Sequence, residues 1–311
     1  MRPELLSILG CPDCGGVLRP RTQAAGDLTS GRLSCGRCGA AFPIVQSIPR
    51  FVISDEYVQS FSFEWNRFRR TQLDSTNGRG ESEARFRQSF DFPLEDLNGK
   101  LVLDAGCGMG RFMEVALKYG ATVVGIDLSL AVEAAHENLA HHPEAHFVQA
   151  DLFRLPFRPE TFDLIYSLGV LHHTPDPSGA LQGLVRLLKP GGRISITLYS
   201  GYNRVYIRST TWWRRWSTRL PPRLLYALCH AAVPLYYLYR LPLVGLILQG
   251  LLPISMHPDR AWRVLDTFDC YSPVYQSYHT HPQVFQWLRE LKLTGIAVLE
   301  PGISFIATRG A

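Results

Sequence analysis

Glycines and carboxylates follow short apolar runs in the middle of the chain. The first group is Asp104-Ala-Gly-Cys-Gly-Met-Gly110, which lies between an apolar run and a helical pattern. Glycines let the backbone turn tightly and approach a ligand, and the N–H groups at a helix start favour an anion. The spacing is Gly-x-Gly-x-Gly, whereas dinucleotide enzymes use Gly-x-Gly-x-x-Gly. Alone, this loop also fits an ordinary tight turn between a strand and a helix.

Three further groups follow later apolar runs. Asp127 ends the second run, and its carboxylate can accept both hydroxyls of a ribose, as an acidic residue does in NAD enzymes. Asp151-Leu152 follows the third run and suits an adenine amine and ring face, although Asp151 equally fits a loop cap. Ser167 to Asp176 follow the fourth run. Open α/β sheets bind ligands at the carboxyl ends of their strands, so these groups predict one site.

The elements that position these groups alternate between strand and helix patterns, which is typical of a parallel sheet covered by helices. The predicted strands are 101–104, 122–127, 146–149, 162–167 and 193–199, with a closing antiparallel pair at 295–299 and 303–308. The predicted helices are 111–119, 130–141, 177–188 and 283–291. Ser129 is placed to cap the second of these helices, and Pro190-Gly-Gly192 is placed to stop the third.

Here the chain resembles the class I S-adenosylmethionine-dependent methyltransferases, especially the group that includes quinone-biosynthesis methyltransferases. The matching motifs, in chain order, are 102–110, 125–129, 150–152, 162–167, 171–173 and 188–193. The resemblance implies that Gly106, Gly108 and Gly110 border the methionine part of the cofactor, that Asp127 binds the ribose, that Asp151 and Leu152 meet the adenine, and that Asp104 orients the loop. We also assign Cys107, Leu128 and Ser167 to the cofactor site. The implied strand order is 3-2-1-4-5-7-6.

Two cysteine pairs occur near the N-terminus, at Cys11 and Cys14 and at Cys35 and Cys38. Two C-x₂-C pairs at this separation predict a tetrahedral zinc ribbon, and four thiolates leave no open position, so the metal would be structural. The alternative is a redox dithiol. The segments around the pairs are similar to the zinc-ribbon activator subunit of RNA and protein methyltransferases, which implies a docking or stabilising role.

The expected architecture is therefore a Rossmann-like α/β sheet of seven strands with an N-terminal zinc ribbon and a helical cap inserted after strand 5. The predicted divisions are a zinc ribbon at 1–54, a cofactor-covering helical segment at 55–98, the methyltransferase core at 99–199, a cap and acceptor-binding insertion at 200–281, and a C-terminal helix and strands at 282–311.

Composition sets limits on partners and compartment. The net charge is only +5, which is too mild to indicate nucleic acid without clustered Lys and Arg. The first residues lack a basic region followed by a long apolar stretch, so we expect no signal peptide and a cytoplasmic location in which thiols stay reduced.

The acceptor side has weaker signals. Phe63 and Trp65 precede the sheet and are candidates to cover the ligand, while Arg85 is a candidate partner for a carboxylate. A general base is needed only when the acceptor must lose its proton early. The candidate bases are His173 and His279. A polar, aromatic group of residues before the last helix is a candidate lining of the acceptor pocket, namely Asp266, Asp269, Tyr271, Tyr275, Tyr278, His279 and His281.

The apolar insertion allows two interpretations. Residues 205–256 carry tryptophans beside arginines, a pattern typical of peripheral membrane contact. Prolines and Arg240 divide the apolar run into pieces too short for a spanning helix. The other interpretation is a buried helical lid over the active site.

These features favour a methyltransferase that acts on a small molecule such as a quinone, lipid, glycan or natural product. One alternative is an rRNA or tRNA methyltransferase that holds RNA with its zinc ribbon. Ser167-Leu-Gly-Val170 replaces the Asn-Pro-Pro-Tyr type of motif expected for methylation of a base amine, which disfavours this interpretation. The other alternative is a non-catalytic scaffold that binds S-adenosylmethionine.

Overall fold

The computed structural model describes residues 1–21, 27–300 and 302–310. Its N-terminal unit is a helix followed by a four-stranded antiparallel sheet in the order β1-β2-β3-β4. These elements are α1 (Pro3–Ile8), β1 (Leu18–Pro20), β2 (Gly31–Cys35), β3 (Ala41–Val45) and β4 (Ile48–Pro49). The predicted divisions 1–54 and 282–311 include residues 22–26, Pro301 and Ala311, which lie outside the described residues.

The central unit is a seven-stranded sheet in the order β10-β11-β9-β8-β5-β6-β7. Its strands are β5 (Leu101–Ala105), β6 (Thr122–Asp127), β7 (Ala145–Gln149), β8 (Phe162–Leu168), β9 (Leu188–Leu198), β10 (Leu293–Leu299) and β11 (Ile303–Arg309). β5 to β9 pair in parallel, and β11 is antiparallel to both β9 and β10. Counted along the sheet's own strands, this order is 3-2-1-4-5-7-6, which confirms the predicted fold class.

Helices cover both faces of the sheet and form the cap. They are α2 (Gln59–Arg67), α3 (Asp74–Asn77), α4 (Glu81–Arg87), α5 (Arg111–Lys118), α6 (Ala131–Leu139), α7 (Pro177–Val185), α8 (Arg204–Ser217), α9 (Pro222–Cys229), α10 (Ala232–Tyr239), α11 (Pro242–Leu251), α12 (Arg260–Tyr271) and α13 (His281–Glu290). Short 3₁₀ turns lie at Glu56–Val58, Leu94–Leu97 and Leu171–His173.

Burial follows the pattern expected of a parallel sheet. Val102, Leu103, Val123 and Val124 are fully buried, because helices cover both faces of the strands that carry them. Apolar side chains from the ribbon, including Leu9, belong to the same buried cluster as those of β5 to β9, so the N-terminal unit packs onto the core.

The region around Pro190-Gly-Gly192 differs from the expectation. Helix α7 ends at Val185, and β9 already begins at Leu188, so the glycines lie inside the strand. The pairing with β8 shifts register between Leu188 and Arg193. The glycines therefore form a bulge in the strand, a conformation for which a residue without a side chain is suited.

Candidate functional site

A cavity of about 760 Å³ lies at the carboxyl ends of β5, β6 and β8, beneath α2 and the helices of the cap. Its volume falls within the range of small-molecule sites. Seven of the predicted site residues line it: Gly106, Cys107, Gly108, Asp127, Leu128, Leu152 and His173. The other five, Asp104, Gly110, Asp151, Ser167 and His279, are not among the lining residues.

The glycine loop has a left-handed backbone at three positions. Gly106, Gly108 and Gly110 have φ angles of +95°, +52° and +91°. A Cβ added to Gly106 would lie 2.4 Å from Val170 Cγ1, and one added to Gly110 would lie 2.7 Å from Leu139 Cδ1. Both the backbone conformation and the space therefore require glycine at these two positions.

Asp127 holds this loop against the end of β6. Its Oδ2 accepts the Gly108 N–H at 2.9 Å, and its Oδ1 accepts from the Ser129 N–H at 2.9 Å and the Ser129 hydroxyl at 2.7 Å. Ser129 Oγ in turn accepts the Ala131 N–H at the start of α6. Burial raises the pKa of Asp127, and these hydrogen bonds oppose that shift. The carboxylate is thus fixed at the cavity wall.

Three of the other predicted residues lie behind or beside the loop. Asp104 is buried, and that burial raises its pKa well above the ordinary value. Ser167 is fully buried and donates to the Ala105 carbonyl at 2.8 Å. Together with Gly110, which packs against α6, these residues shape the loop from the protein side.

The predicted adenine pair divides between two positions. Leu152 lines the cavity, whereas Asp151 Oδ1 accepts the Phe153 N–H at 3.0 Å and closes a local turn. Tyr57 lines the cavity nearby, and its pKa is raised mainly by burial and next by the charge of Asp151. Asp151 is thus engaged in a local turn and is not among the lining residues.

Helix α2 and the segment after it cover the glycine loop. A Cβ on Gly108 would meet the Trp65 ring at 3.4 Å, so the indole lies directly over the loop. Trp65 and Arg85 both line the cavity, and their roles in covering the ligand and binding a carboxylate stay predictions. Phe63 instead packs against Phe268 and Tyr226, in the cluster beneath the cap.

The two candidate bases differ in placement. His173 lines the cavity, and its Nδ1 lies 3.0 Å from the Tyr275 carbonyl, so Nδ1 carries the proton and Nε2 is left as an acceptor. Burial lowers the pKa of His173, which keeps the ring neutral. His279 pairs through its two ring nitrogens with Ser277 at 2.8 Å and Gln283 at 3.2 Å.

The cavity also holds carboxyl groups from two elements. Asp266 and Asp269 of α12 line it, in the region that the sequence marked as an acceptor pocket. Glu64 of α2 lines it as well, and the sequence reasoning missed this residue. A signal was present, because Glu64 is an acid within Phe61-Ser-Phe-Glu-Trp65 at the helical spacing that places Phe61, Glu64 and Phe68 on one face.

The four N-terminal cysteines converge on one point. Their Sγ atoms all lie within 4.8 Å of one another, with 3.7 Å between Cys11 and Cys38 and 3.5 Å between Cys14 and Cys35. Zinc–sulfur bonds of about 2.3 Å in a tetrahedron place the sulfurs about 3.8 Å apart. The donor set and its spacing therefore fit a structural zinc ion.

The ribbon is joined to the core through the edge strand β7. The Phe51 N–H donates to the Gln149 carbonyl at 2.8 Å, and Arg50 and Gln149 form an isolated parallel bridge beside β7. Arg50 pairs with Glu133 at 2.7 Å and with Gln149 Oε1 at 2.9 Å. This contact covers a sheet edge that would otherwise present unpaired backbone groups.

Additional contacts hold the other end of the ribbon. The Arg2 guanidinium donates to several carbonyls of the turn between α6 and β7, including Ala140 at 2.9 Å and His142 at 2.7 Å. The Gly10 N–H donates to Pro156 at 3.0 Å, and Arg154 pairs with Asp13. The ribbon thus contacts the segments that precede and follow β7 in the chain.

The outer surface of the cap exposes large apolar side chains. On α11, Leu243, Leu246 and Ile247 are 77%, 75% and 61% exposed. Further exposed apolar residues on the neighbouring cap helices are Val205, Trp212, Trp216, Leu224, Leu228, Tyr237, Leu238 and Leu241. Among the described residues, every helix is too short or too polar to cross a bilayer.

Comparisons with known proteins agree with the two sequence resemblances. Residues 103–196 match the family described as "Methyltransferase domain", and residues 2–47 match the family described as "Trm112p-like protein". Both predicted resemblances are thereby confirmed.

The curated relatives match part of the chain. A ubiquinone biosynthesis O-methyltransferase of Pseudomonas putida is 35% identical over 139 residues, which cover 39% of this chain and 60% of the relative. One from Paracidovorax citrulli is 37% identical over 115 residues, covering 36% of this chain and 47% of the relative. The chain thus spans 60% or less of the length of these two relatives.

One solved structure shares the fold over most of the chain. It is described as a "Complex between the Haloferax volcanii Trm112 methyltransferase activator and the putative methyltransferase", with a TM-score of 0.50 and 14% identity. The similarity covers 81% of this chain and 98% of that chain.

Proposed function

Because the chain carries a methyltransferase domain behind a Trm112p-like domain, we propose that it is an S-adenosylmethionine-dependent methyltransferase acting on a small-molecule acceptor. The observation that carries this proposal is the cavity, which joins the glycine loop and Asp127 to a separate set of polar groups contributed by α2 and the cap. A cofactor and a small acceptor would therefore share one covered space.

The residues proposed to hold the methyl donor come from three places. The backbone of Gly106 and Gly108 forms a cradle that any Cβ would fill, and Asp127 beside it can accept from a ribose. Leu152 and Tyr57 would contact the adenine from the far side of the cavity. Arg85, half-buried in the cavity wall, would meet the methionine carboxylate. When bound, S-adenosylmethionine supplies an electrophilic methyl group.

The chain's own contribution to the reaction would be alignment and exclusion of water. Trp65 covers the glycine loop, and the cap closes the cavity above it. Holding two reactants in line can lower the activation barrier by about 7–11 kcal/mol without any acid or base. Where the acceptor must lose a proton, neutral His173 with an acceptor Nε2 is the proposed base, and it is better placed than His279.

The test measures S-adenosylhomocysteine release after the purified chain is mixed with S-adenosylmethionine and pooled acceptors. The pools contain phenols, amines, lipids, glycans or RNA, and a reaction without acceptor is the control. We expect release with a small-molecule pool. Release with the RNA pool alone would favour the RNA methyltransferase alternative. Failure of S-adenosylhomocysteine to bind in calorimetry would overturn the proposal.

We propose in addition that the four cysteines bind one structural zinc ion. Their sulfur spacing and the absence of a nitrogen or oxygen ligand within the set support a closed tetrahedral site. In this role the metal would hold the ribbon in the shape that packs on β7.

We also propose that the outer surface of the cap contacts an anionic lipid bilayer. Charge supports this partner, because no Asp or Glu occurs between Asp176 and Asp259. Six exposed arginines stand among the exposed apolar residues, namely Arg204, Arg208, Arg215, Arg219, Arg223 and Arg240. Apolar side chains beside basic ones fit the interface of an anionic membrane. Pro253 and Ile254, which follow α11, line the cavity and connect this surface to the site.

A further inference from the structure

Glu64 is a buried acid in the cavity wall with no role in the scheme above. Its side chain is 0% exposed, and in the described structure neither carboxyl oxygen has a hydrogen-bond partner. An unpaired carboxyl away from water is costly, so proteins rarely keep one without a compensating partner. Because Glu64 lines the cavity, a ligand in that cavity is the partner within reach.

Two further carboxyls face the same cavity from α12. Asp269 accepts from the Tyr199 hydroxyl at 2.9 Å, and Asp266 accepts from the Ser255 hydroxyl at 3.1 Å. Burial raises the pKa of Glu64 first, and the charges of Asp269 and Asp266 raise it further, so the three groups lie close enough to interact. Burial likewise raises the pKa of Asp266 to about 6.

Two arginines line the cavity, Arg85 and Arg111, and neither forms a hydrogen bond to Glu64. Arg111 donates from Nε to Ser82 Oγ at 2.9 Å, and its guanidinium lies 5.1 Å from the Trp262 ring centre. It does not bond to Glu64, whose oxygens are both unpaired among the described residues. Among the described residues, Glu64 therefore has no positively charged side chain bonded to its carboxyl group.

We propose that Glu64, Asp266 and Asp269 form the part of the acceptor site that binds a cationic nitrogen, an ammonium or guanidinium group of the acceptor. An ammonium group offers three N–H donors and carries a full positive charge, whereas a hydroxyl group offers one donor and carries no charge. Hydrogen bonds between ionised partners are about twice as strong as neutral ones. The inference rests on the proposed function, because it assigns the methyl donor to the other side of the same cavity.

The experiment compares matched amines and alcohols on protein saturated with S-adenosylhomocysteine. The pairs are tyramine with tyrosol and tryptamine with tryptophol, in which a hydroxyl replaces the ammonium on the same ring and chain. Binding is measured by calorimetry, because the absorbance and fluorescence of the aromatic probes would interfere with an optical measurement. We expect each amine to bind about tenfold or more tightly than its alcohol.

Single substitutions show which residues cause the preference for amines over alcohols. Glu64→Gln keeps the shape of the side chain and removes its charge, so the preference for the amines should fall by about tenfold. Asp269→Asn should also reduce it. Glu95→Gln alters an exposed acid outside the cavity and should retain the full preference. Thermal denaturation of each variant shows whether it is folded.

Equal binding of amine and alcohol, no binding of either pair at the solubility limit, or an unchanged preference in folded Glu64→Gln would overturn this inference. None of these results counts against the proposed function if S-adenosylhomocysteine binds the wild-type chain. Failure of S-adenosylhomocysteine itself to bind would instead count against the proposed function.

Discussion

At the scale of single residues, Asp127 is already in use before any ligand arrives. One carboxylate oxygen accepts the Gly108 N–H, and the other accepts two donors from Ser129. A carboxylate oxygen can accept more than one hydrogen bond, so a ribose hydroxyl would add to this arrangement without breaking it. The residue therefore both shapes the loop and is available to a ligand.

We expect Asp127→Asn to weaken binding of S-adenosylhomocysteine by about tenfold to a hundredfold. The amide keeps one acceptor but loses the charge, and a hydrogen bond to a charged group contributes about 1.5–3 kcal/mol. Calorimetry measures the affinity. Asp96→Asn, at an exposed position before β5, is the matched control and should bind as the wild type does. Unchanged affinity in folded Asp127→Asn would refute the ribose role.

The residues that could be predicted from sequence are those fixed by local chain geometry. Gly106 and Gly108 come soon after one apolar strand and Asp127 ends the next, so their place at the carboxyl ends of the strands follows from the strand pattern alone. Glu64 and Trp65 reach the cavity because α2 folds back over the sheet, a long-range packing event with no local code. For the same reason Phe63, in the same aromatic segment, packs under the cap instead of over the ligand.

At the scale of elements, the ribbon meets the core sheet at the edge strand β7. One isolated parallel bridge joins Arg50 to Gln149, and Arg2 holds the turn that enters β7. The sequence predicted the ribbon and the core strands separately. It could not predict their contact, because edge pairing depends on backbone hydrogen bonds that are common to all residue types.

We expect Cys38→Ser to reduce bound zinc from about one equivalent per chain to nearly none and to lower the melting temperature. Cys38 is exposed, so the loss of the sulfur ligand should not disturb the buried core. Elemental analysis gives the metal content, and thermal denaturation gives the stability. Cys229→Ala alters a cysteine outside the cluster and should retain the metal. A folded wild-type chain without metal would contradict the zinc site.

At the scale of the whole molecule, the β7 edge of the sheet and the outer surface of the cap face different surroundings. The β7 edge is covered by the ribbon, whereas the cap beside the cavity exposes apolar side chains and arginines. Exposed apolar areas of this kind mark interaction surfaces in proteins. Prediction from the sequence found the apolar insertion but left its environment open, since periodicity does not say which helix face a neighbouring helix will cover.

We expect the chain to co-sediment with vesicles containing anionic phosphatidylglycerol and to bind phosphatidylcholine vesicles much more weakly. The combined changes Leu243→Ser, Leu246→Ser and Ile247→Ser should reduce vesicle binding more than tenfold, because each buried aliphatic side chain contributes about 1.5–3 kcal/mol. A control carries serine at Val17, Ile53 and Val298, which are also exposed but lie outside the cap. Equal loss in both variants, or no binding by the wild type, would contradict membrane contact.

The hydrogen bond from Phe51 to Gln149 has a thermodynamic consequence. Gln149 lies two residues before Asp151, at the end of the strand that leads to the proposed adenine site. A metal that orders the ribbon and a methyl donor that orders this strand end then favour the same joined conformation. Linkage requires each to increase the affinity of the other by the same factor. Through the contacts between the ribbon and β7, bound metal would therefore lower the concentration at which the chain becomes saturated with its proposed methyl donor.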